Sequence, residues 1–268
     1  LTMSAQYEAV IARAFVDFLD RGYVYKGLKP VHWCMRCRTA LAEAEVEYED
    51  HTSPSVWVKF RLKSDPAAIH PALAGKRVST VIWTTTPWTL PANMAVAFHP
   101  KFQYVAAEAA GEAYIVAEDL LKATVEKCGW IDPKVLARFA GSAMQRAVFR
   151  HPFIERDSLG VLAEYVTLDQ GTGAVHTAPG HGQEDHRTAQ EYGIATFCPV
   201  DADGRMFHAE GAGGRLPEEI IGKRVWDANP VVTGILRERG ALLAEGRLDH
   251  SYPHCLSLIH ISEPTRPY

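Results

Sequence analysis

The sequence predicts a mainly β protein with peripheral helices, an α+β chain built on a barrel or sandwich. Three observations lead there. From residue 55 the apolar period becomes two, with Val56, Val58, Phe60 and Leu62 alternating with Trp57, Lys59 and Arg61, as in a half-buried strand. Further short strand candidates follow at 77–84, 94–98, 102–107, 112–117, 145–149 and 161–168. Helical periodicity is confined to a few segments, the balance expected of a β architecture with helices at its periphery.

The first element is the clearest helix. Tyr7, Val10, Ile11, Ala14, Phe15, Phe18 and Leu19 form one apolar face, Ser4 is placed to cap its start and Gly22 to end it. A turn-rich stretch, His32-Trp33-Cys34-Met35-Arg36-Cys37, precedes an acidic run from Glu43 to Asp50. Helices are predicted at 118–128, 183–192 and 230–239, and Asp201-Ala202-Asp203-Gly204 is a turn signal.

Composition bounds the function. With 47% apolar and 22% charged residues in 268, the chain is globular, with material for one or two domains. Lys+Arg number 28 against 32 Asp+Glu, a net charge of −4, so global charge announces no nucleic-acid binder but leaves room for a local basic patch. No apolar run reaches the roughly 20 residues that span a bilayer. The start, Leu1-Thr2-Met3-Ser4, reads as a cut into a longer chain, neither a signal peptide nor an ordinary first residue. Five cysteines, two of them in Cys-x-x-Cys, suit a reduced, cytoplasmic compartment better than a disulfide framework.

Cys34-Met35-Arg36-Cys37 is half of a tetrahedral zinc site, which needs four ligands. Cys255, after His254, begins what can be the other half; the fourth ligand is then expected at 258, which is Leu258. His32, His254 and His260 are the available substitutes. A redox pair or plain buried thiols are the alternatives, although the strand–helix context of a redox motif is missing. Cys128 and Cys198 are expected to be ordinary buried residues.

Two strings carry chemistry. In Trp83-Thr84-Thr85-Thr86-Pro87-Trp88-Thr89-Leu90-Pro91-Ala92-Asn93 a strand runs into three threonines and stops at a proline. Pro87 biases Thr86 towards extended backbone. Hydroxyls and backbone N–H groups there can line a polar pocket, with Trp88 as a wall; capping threonines at a strand end are the plainer alternative. In Gly171-Thr172-Gly173-Ala174-Val175-His176-Thr177-Ala178-Pro179-Gly180-His181-Gly182-Gln183-Glu184-Asp185-His186 the glycines permit close backbone approach. The string is neither a phosphate loop nor a dinucleotide fingerprint. A helix is expected to begin near Gln183, where Glu184 and Asp185 suit the first turn.

These two strings resemble the editing domain of isoleucyl-tRNA synthetases, the insertion called connective polypeptide 1. Thr85-Thr86-Pro87-Trp88 points to the isoleucyl branch, because the valyl and leucyl enzymes typically carry Thr-Arg-Pro there. The resemblance covers roughly residues 1–255, and Tyr252-Pro253-His254-Cys255 matches the family's zinc-binding stem. It implies a β-barrel editing domain at 51–248. Residues 1–50 would be the end of a split catalytic nucleotide-binding half with the first half of a zinc knuckle, and 249–255 a return stem. Residues 256–268 resemble translated sequencing-adapter read-through and are expected to be non-native, with a genuine short strand and a Pro-rich terminus as the alternative. The adenylation motifs His-Ile-Gly-His and Lys-Met-Ser-Lys-Ser are absent, so ATP and Mg would belong to the full-length enzyme alone. Structural zinc, incomplete here, would be the cofactor.

The implied reaction is hydrolysis of valyl-tRNA(Ile). A pocket rejects a ligand smaller by one methylene by only about 1–3 kcal/mol, so a second, smaller pocket must clear the error; isoleucine against valine is the standard example of that argument. By resemblance, Asp185 holds the substrate α-ammonium and His176 shapes the side-chain pocket. Thr84, Thr85 and Thr86 serve the terminal adenosine, the ester and an attacking water, while Trp88 and Asn93 shape the same site. His181 is a further candidate. No serine or cysteine nucleophile with an adjacent base is visible, so no covalent intermediate is expected. The expected partner is the tRNA(Ile) 3′ end, with no membrane and a monomeric chain. Arg36, Arg38, Lys59, Arg61, Lys63, Lys223 and Arg224 are candidate phosphate contacts or ordinary surface charge. Two other classes stay open. One is a metal-dependent hydrolase using His176, His181, Asp185 and His186. The other is a non-catalytic, zinc-stapled tRNA-binding module.

Overall fold

The computed structural model describes residues 2–211, 213–256, 260–261 and 263–267, those beyond 259 by backbone alone. Helix α1 (Ala5–Asp20) precedes the short strands β1 (Pro30–Cys34) and β2 (Thr39–Leu41) and the long strand β3 (Val46–Leu62). Strands β4 (Val78–Thr84), β5 (Ala95–Phe98), β6 (Gln103–Ala109) and β7 (Glu112–Ala117) lead into helix α2 (Leu121–Cys128). Strands β8 (Lys134–Ala140), β9 (Val148–Arg150), β10 (Asp157–Leu162) and β11 (Ala174–Thr177) precede helices α3 (Gln183–Tyr192) and α4 (Val225–Glu238). Strand β12 (Leu242–Cys255) returns, followed by β13 (His260–Ile261) and β14 (Glu263–Pro267).

Eleven strands form one sheet along the path β11-β5-β10-β9-β3-β4-β7-β6-β8, with β12 on β3 and β13 on β12. Most pairs are antiparallel; β5–β10 and β4–β7 are parallel. The chain is thus mainly β with peripheral helices. The path has two ends and no ladder joins them among the described residues, so the expected barrel has no closing pair. A second sheet orders β14-β1-β2.

The alternation in β3 has the predicted consequence. Val56, Val58, Phe60 and Leu62 enter the main core. Trp57, on the opposite face, enters a second cluster with Val81, Val105, Tyr114 and Val116. Both faces of the central sheet are therefore covered, which is why 77–84, 102–107 and 112–117 read as nearly continuous apolar runs rather than alternating ones. The amino-terminal half of β3 leaves this body. Paired with β12 from Val46↔Cys255 to Ser55↔Gly246, it makes a two-stranded ribbon whose far end carries Cys255.

Several boundaries differ from expectation, each for a reason. The strand expected at 161–168 runs from Asp157 to Leu162, because its partner β5 ends at Phe98, opposite Leu162. The strand expected at 145–149 starts only at Val148, since Arg146 has φ +60°, outside the ladder conformation. Helix α4 begins at Val225 and carries Pro230 inside it. Strands β8 and β12 were not expected: β12 is polar along most of its length and holds its conformation by its ladder to β3. Cys128 and Cys198 are half-buried rather than buried. The apolar face of α1 is capped by Ser4 as expected, but Val10, Phe15 and Phe18 are more than half exposed, and no residue of α1 is buried. Leu258 lies outside the described residues, as does the side chain of His260.

Gly160 sits where β10 meets the Gly141–Met144 turn: a Cβ there would lie 2.9 Å from the Ala147 carbonyl oxygen and closer still to that of Met144. Gly160→Ala is expected to destabilise the protein by about 1–3 kcal/mol, read as a fall in Tm on the order of 5 °C in calorimetry.

Candidate functional site

Strand β4 delivers the threonines. It ends at Thr84, and the 3-10 turn Pro87–Ala92 follows with all six residues buried. A buried turn must find donors for its carbonyls, and the surrounding elements provide them. The Leu90 carbonyl accepts from His151 Nε2 at 2.8 Å and the Pro91 carbonyl from Arg156 at 2.8 Å. Asn229 of α4 accepts the Trp88 backbone N–H at 2.9 Å. Burial holds His151 neutral, its pKa well below the usual imidazole range.

The glycine-rich string delivers the other wall. Strand β11 pairs with β5, placing His176 opposite Val96. The chain then turns through Pro179-Gly180, where a Cβ on Gly180 would lie 2.5 Å from the Phe197 carbonyl oxygen; only glycine fits. Helix α3 starts next, with Asp185 in its first turn.

The two strings meet. Trp83, Thr84, Thr86, Thr89, Val175, His176, Ala178, His181 and Asp185 line one cleft of about 220 Å³, smaller than the roughly 300–1,000 Å³ of pockets for drug-sized ligands. Thr85 lines an adjoining cleft of about 330 Å³ with Tyr165, Gln170 and the 171–175 segment, which shares Trp83, Thr84 and Val175 with the first. Larger clefts exist elsewhere, but here hydroxyls, a buried imidazole and a carboxylate converge.

Hydrogen bonds fix the protonation of His176. Asn93 Nδ2 donates to the Ala95 carbonyl at 2.7 Å, which sets the amide orientation, and its Oδ1 accepts from Ser158 Oγ at 2.5 Å. The same Nδ2 donates to His176 Nδ1 at 2.9 Å. The neutral ring therefore carries its proton on Nε2 and donates it to Thr89 Oγ1 at 2.9 Å. Thr89 in turn donates to the Thr86 carbonyl at 2.8 Å. Burial, reinforced by His181 and Arg156, lowers the His176 pKa to about 3. Its ring is a fixed, neutral wall. Beside it the Thr84 hydroxyl accepts the Thr86 N–H at 3.1 Å and lies 3.2 Å from Thr86 Oγ1.

Asp185 is the charged member. Its Oδ2 accepts the Ala178 N–H at 2.8 Å and its Oδ1 the Tyr165 hydroxyl at 3.3 Å. Burial outweighs these donors and raises its pKa to about 6.

Not every expected residue reaches the cleft. Trp88 is fully buried behind it, its ring edge-on to His181 at 5.0 Å between centroids; Trp83 forms the aromatic wall instead. Asn93 is buried and acts on the cleft through His176. The metal-hydrolase constellation does not assemble: among the described residues the only group of three metal-ligating atoms is that of Cys34, Cys37 and Cys255, and His186 turns away to Thr196 at 3.2 Å. Ser158, Tyr165, Arg156 and His151 were missed, because isolated residues scattered over the chain give no local pattern; Thr89 lay within the first string but was given no role.

At the end of the ribbon the sulfur atoms of Cys34, Cys37 and Cys255 lie within 4.8 Å of one another, a group that can hold a metal. The Cys37 N–H donates to Cys34 Sγ at 3.3 Å. Neither His32 nor His254 joins the group.

Because the Asp185 pKa lies above its ordinary 3.8, folding favours the protonated form, and stability is lost as pH rises through about 6. Asp185→Asn keeps an acceptor for Ala178 and escapes this loss. Its Tm is expected to exceed the parent's by about 3–6 °C at pH 7 and to match it below about pH 4, measured by thermal denaturation across pH.

Comparison with known proteins places the chain. The family model described as tRNA synthetases class I (I, L, M and V) matches residues 1–225. The chain is 53% identical over 255 residues to an isoleucine–tRNA ligase of Geobacter sulfurreducens and 48% identical over 255 residues to one of Desulfotalea psychrophila. Each match covers 95% of this chain but only 27% and 26% of the relative, so the chain spans about a quarter of their length. Among solved structures, the GlLeuRS-CP1 crystal structure superposes with TM-score 0.58 at 16% identity, over 72% of this chain and 99% of that one. The Plasmodium knowlesi cytosolic leucyl-tRNA synthetase editing domain gives TM-score 0.57 at 11% identity, over 72% and 96%. The folds agree, and the chain belongs to the class I tRNA synthetase family.

Proposed function

We propose that residues 51–248 hydrolyse valyl-tRNA(Ile), as the editing unit of an isoleucine–tRNA ligase. The observation that carries this reading is the single cleft in which Thr84 and Thr86 face His176 and Asp185. Asp185, ionised above pH 6, receives the α-ammonium of the aminoacyl ester. The neutral His176 ring closes the side-chain pocket and excludes isoleucine by bulk. The adjoining cleft, with Thr85 and the Trp83 ring, takes the terminal adenosine of the tRNA. Water attacks the ester carbonyl, the carbonyl–ribose oxygen bond breaks, and valine leaves with the ribose hydroxyl restored. The threonine hydroxyls and backbone N–H groups position the water and steady the tetrahedral oxyanion.

The remaining assignments follow from the same reading. Residues 1–50 close the catalytic nucleotide-binding half of the longer enzyme, to which ATP and Mg belong, and the exposed apolar face of α1 packs against that half. Residues 249–255 are the return stem, and 256–268 are a non-native tail. No helix among the described residues is long and apolar enough to cross a membrane. On this reading, as part of a tRNA ligase, the enzyme works in the cytoplasm, as a monomer. The cysteine cluster is a structural zinc site: Cys34, Cys37 and Cys255 supply three of the four ligands of a tetrahedral zinc, at spacings that bonds of about 2.3 Å can close. Zinc would tie β1 and β2 to the end of the ribbon.

Two experiments check this. In deacylation assays the chain is expected to hydrolyse valyl-tRNA(Ile) at least about tenfold faster than isoleucyl-tRNA(Ile). His176→Ala should narrow that ratio by speeding the isoleucyl reaction, and Asp185→Ala should slow the valyl reaction by about 30-fold or more, the loss of a partly buried ion pair. Equal rates on both esters in the parent chain would refute the assignment. Elemental analysis is expected to find about one zinc per chain; Cys34→Ser should lower that content and Cys128→Ser should not.

A further inference from the structure

A second concentration of chemistry lies at the opposite end of β3 and β4 from the cleft. Lys59, Arg61, Arg77, Arg150 and Arg239 surround a concavity of about 270 Å³ whose single carboxylate is Glu112. The ladders explain the gathering. Lys59 and Arg61 are two residues apart and project from one face of β3. Arg150 of β9 stands directly opposite Arg61. Arg239 ends α4, two residues before Ala241, whose carbonyl accepts the Lys59 N–H at 2.9 Å.

Glu112 does not neutralise this group. It already binds Lys59 Nζ at 2.8 Å, Ser79 Oγ, and the Tyr114 hydroxyl at 3.3 Å. Burial opposes its ionisation, yet these donors hold it below the ordinary carboxylate range. Arg61, Arg77, Arg150 and Arg239 make no ion pair among the described residues. Like charges directly opposite across a ladder destabilise a sheet. In a chain of net charge −4, composition does not force that pairing. Guanidinium forks match the geometry of phosphate oxygens.

We propose that this cleft holds backbone phosphates of the RNA substrate. The inference rests on the editing reading, which supplies that RNA. From the Arg61↔Ser79 rung to Thr84 is five residues of β4, about 17 Å. The cleft therefore engages a stretch of RNA behind the terminal nucleotide. The surface between is roofed by α2, whose Lys127 stands 5.8 Å above the Trp57 ring and adds a cation along the path.

The test is tRNA binding by the 268-residue chain across salt concentrations, with Arg61→Gln/Arg150→Gln beside the parent. The double variant is expected to bind about tenfold more weakly at low salt, with the slope of log affinity against log salt shallower by about two. The loss should be the same for tRNAs of unrelated sequence. In valyl-tRNA(Ile) deacylation, KM should rise at unchanged kcat. Removing the like-charge pair should leave Tm at or above the parent's, which separates lost binding from lost folding. Arg61→Lys/Arg150→Lys should recover the slope but not the full affinity. Parental affinity and slope in the Gln variant would overturn the proposal. So would loss of inorganic pyrophosphate binding with tRNA binding intact, which would assign the cleft to free polyphosphates. If tRNA binding weakens in a chain that cleaves no ester, the cleft stands and the editing reading falls; intact deacylation with unaltered tRNA binding gives the reverse.

Discussion

A buried imidazole must have both nitrogens satisfied by protein, and most of the site follows from that demand at His176. Its Nδ1 requires a donor, which is Asn93; Asn93 requires a fixed orientation, which Ala95 and Ser158 impose. Its Nε2 proton requires an acceptor, which is Thr89, and Thr89 passes its own proton to the Thr86 carbonyl. This thread crosses from β10 through the buried 3-10 turn to β11 and back to the end of β4. The threonine-rich strand end and the glycine-rich segment are thus held in one relative position by bonds whose donors and acceptors are all assigned. A substrate meets a wall whose shape and charge are already set, the condition under which steric exclusion of a larger side chain is possible.

What the sequence revealed and what it hid divide along the range of the interactions. The 3.6-residue period of α1 and the two-residue period of β3 are local; α1 formed where its residues indicated, whereas β3 runs back from the expected start near 55 to Val46, on its ladder to β12. The two site strings are contiguous, so Thr84, Thr86, His176, His181 and Asp185 were legible as candidates, and a resemblance carried by those strings implied their roles. The distant supports behind them were not legible. Ser158 lies 65 residues from Asn93 and Arg156 lies 65 from Pro91, and a lone serine or arginine has no pattern of its own. Trp88 illustrates the converse error. A tryptophan beside three threonines reads as a pocket wall, but the 3-10 turn directs it into the core and leaves Trp83, at the end of β4, to face the cleft. Strand β12 was hidden because its residues are mostly polar; the ladder to β3, not its own pattern, makes it a strand.

Several features of the chain work against its own folding, and they share a logic. The Asp185 carboxylate is desolvated more than its two donors compensate, so its charge is destabilising until a cation arrives. Arg61 and Arg150 repel across a ladder. The face of α1 exposes Val10, Phe15 and Phe18 to water. Stability selected alone would remove each with a single substitution: an amide at 185, a neutral side chain at 61, a polar residue at 15. On the readings proposed above, the complements are respectively an ammonium group, a phosphate and an apolar surface. On the proposed reading, an aminoacyl ester at the end of an RNA presents the first two on one molecule. The third, on α1, is carried by Val10, Phe15 and Phe18; on the proposed reading it is met by protein. Local instability in this chain is therefore distributed as a substrate and a parent enzyme would distribute it. The neutral, fully bonded His176 in the wall of the first cleft is the part that needs no partner.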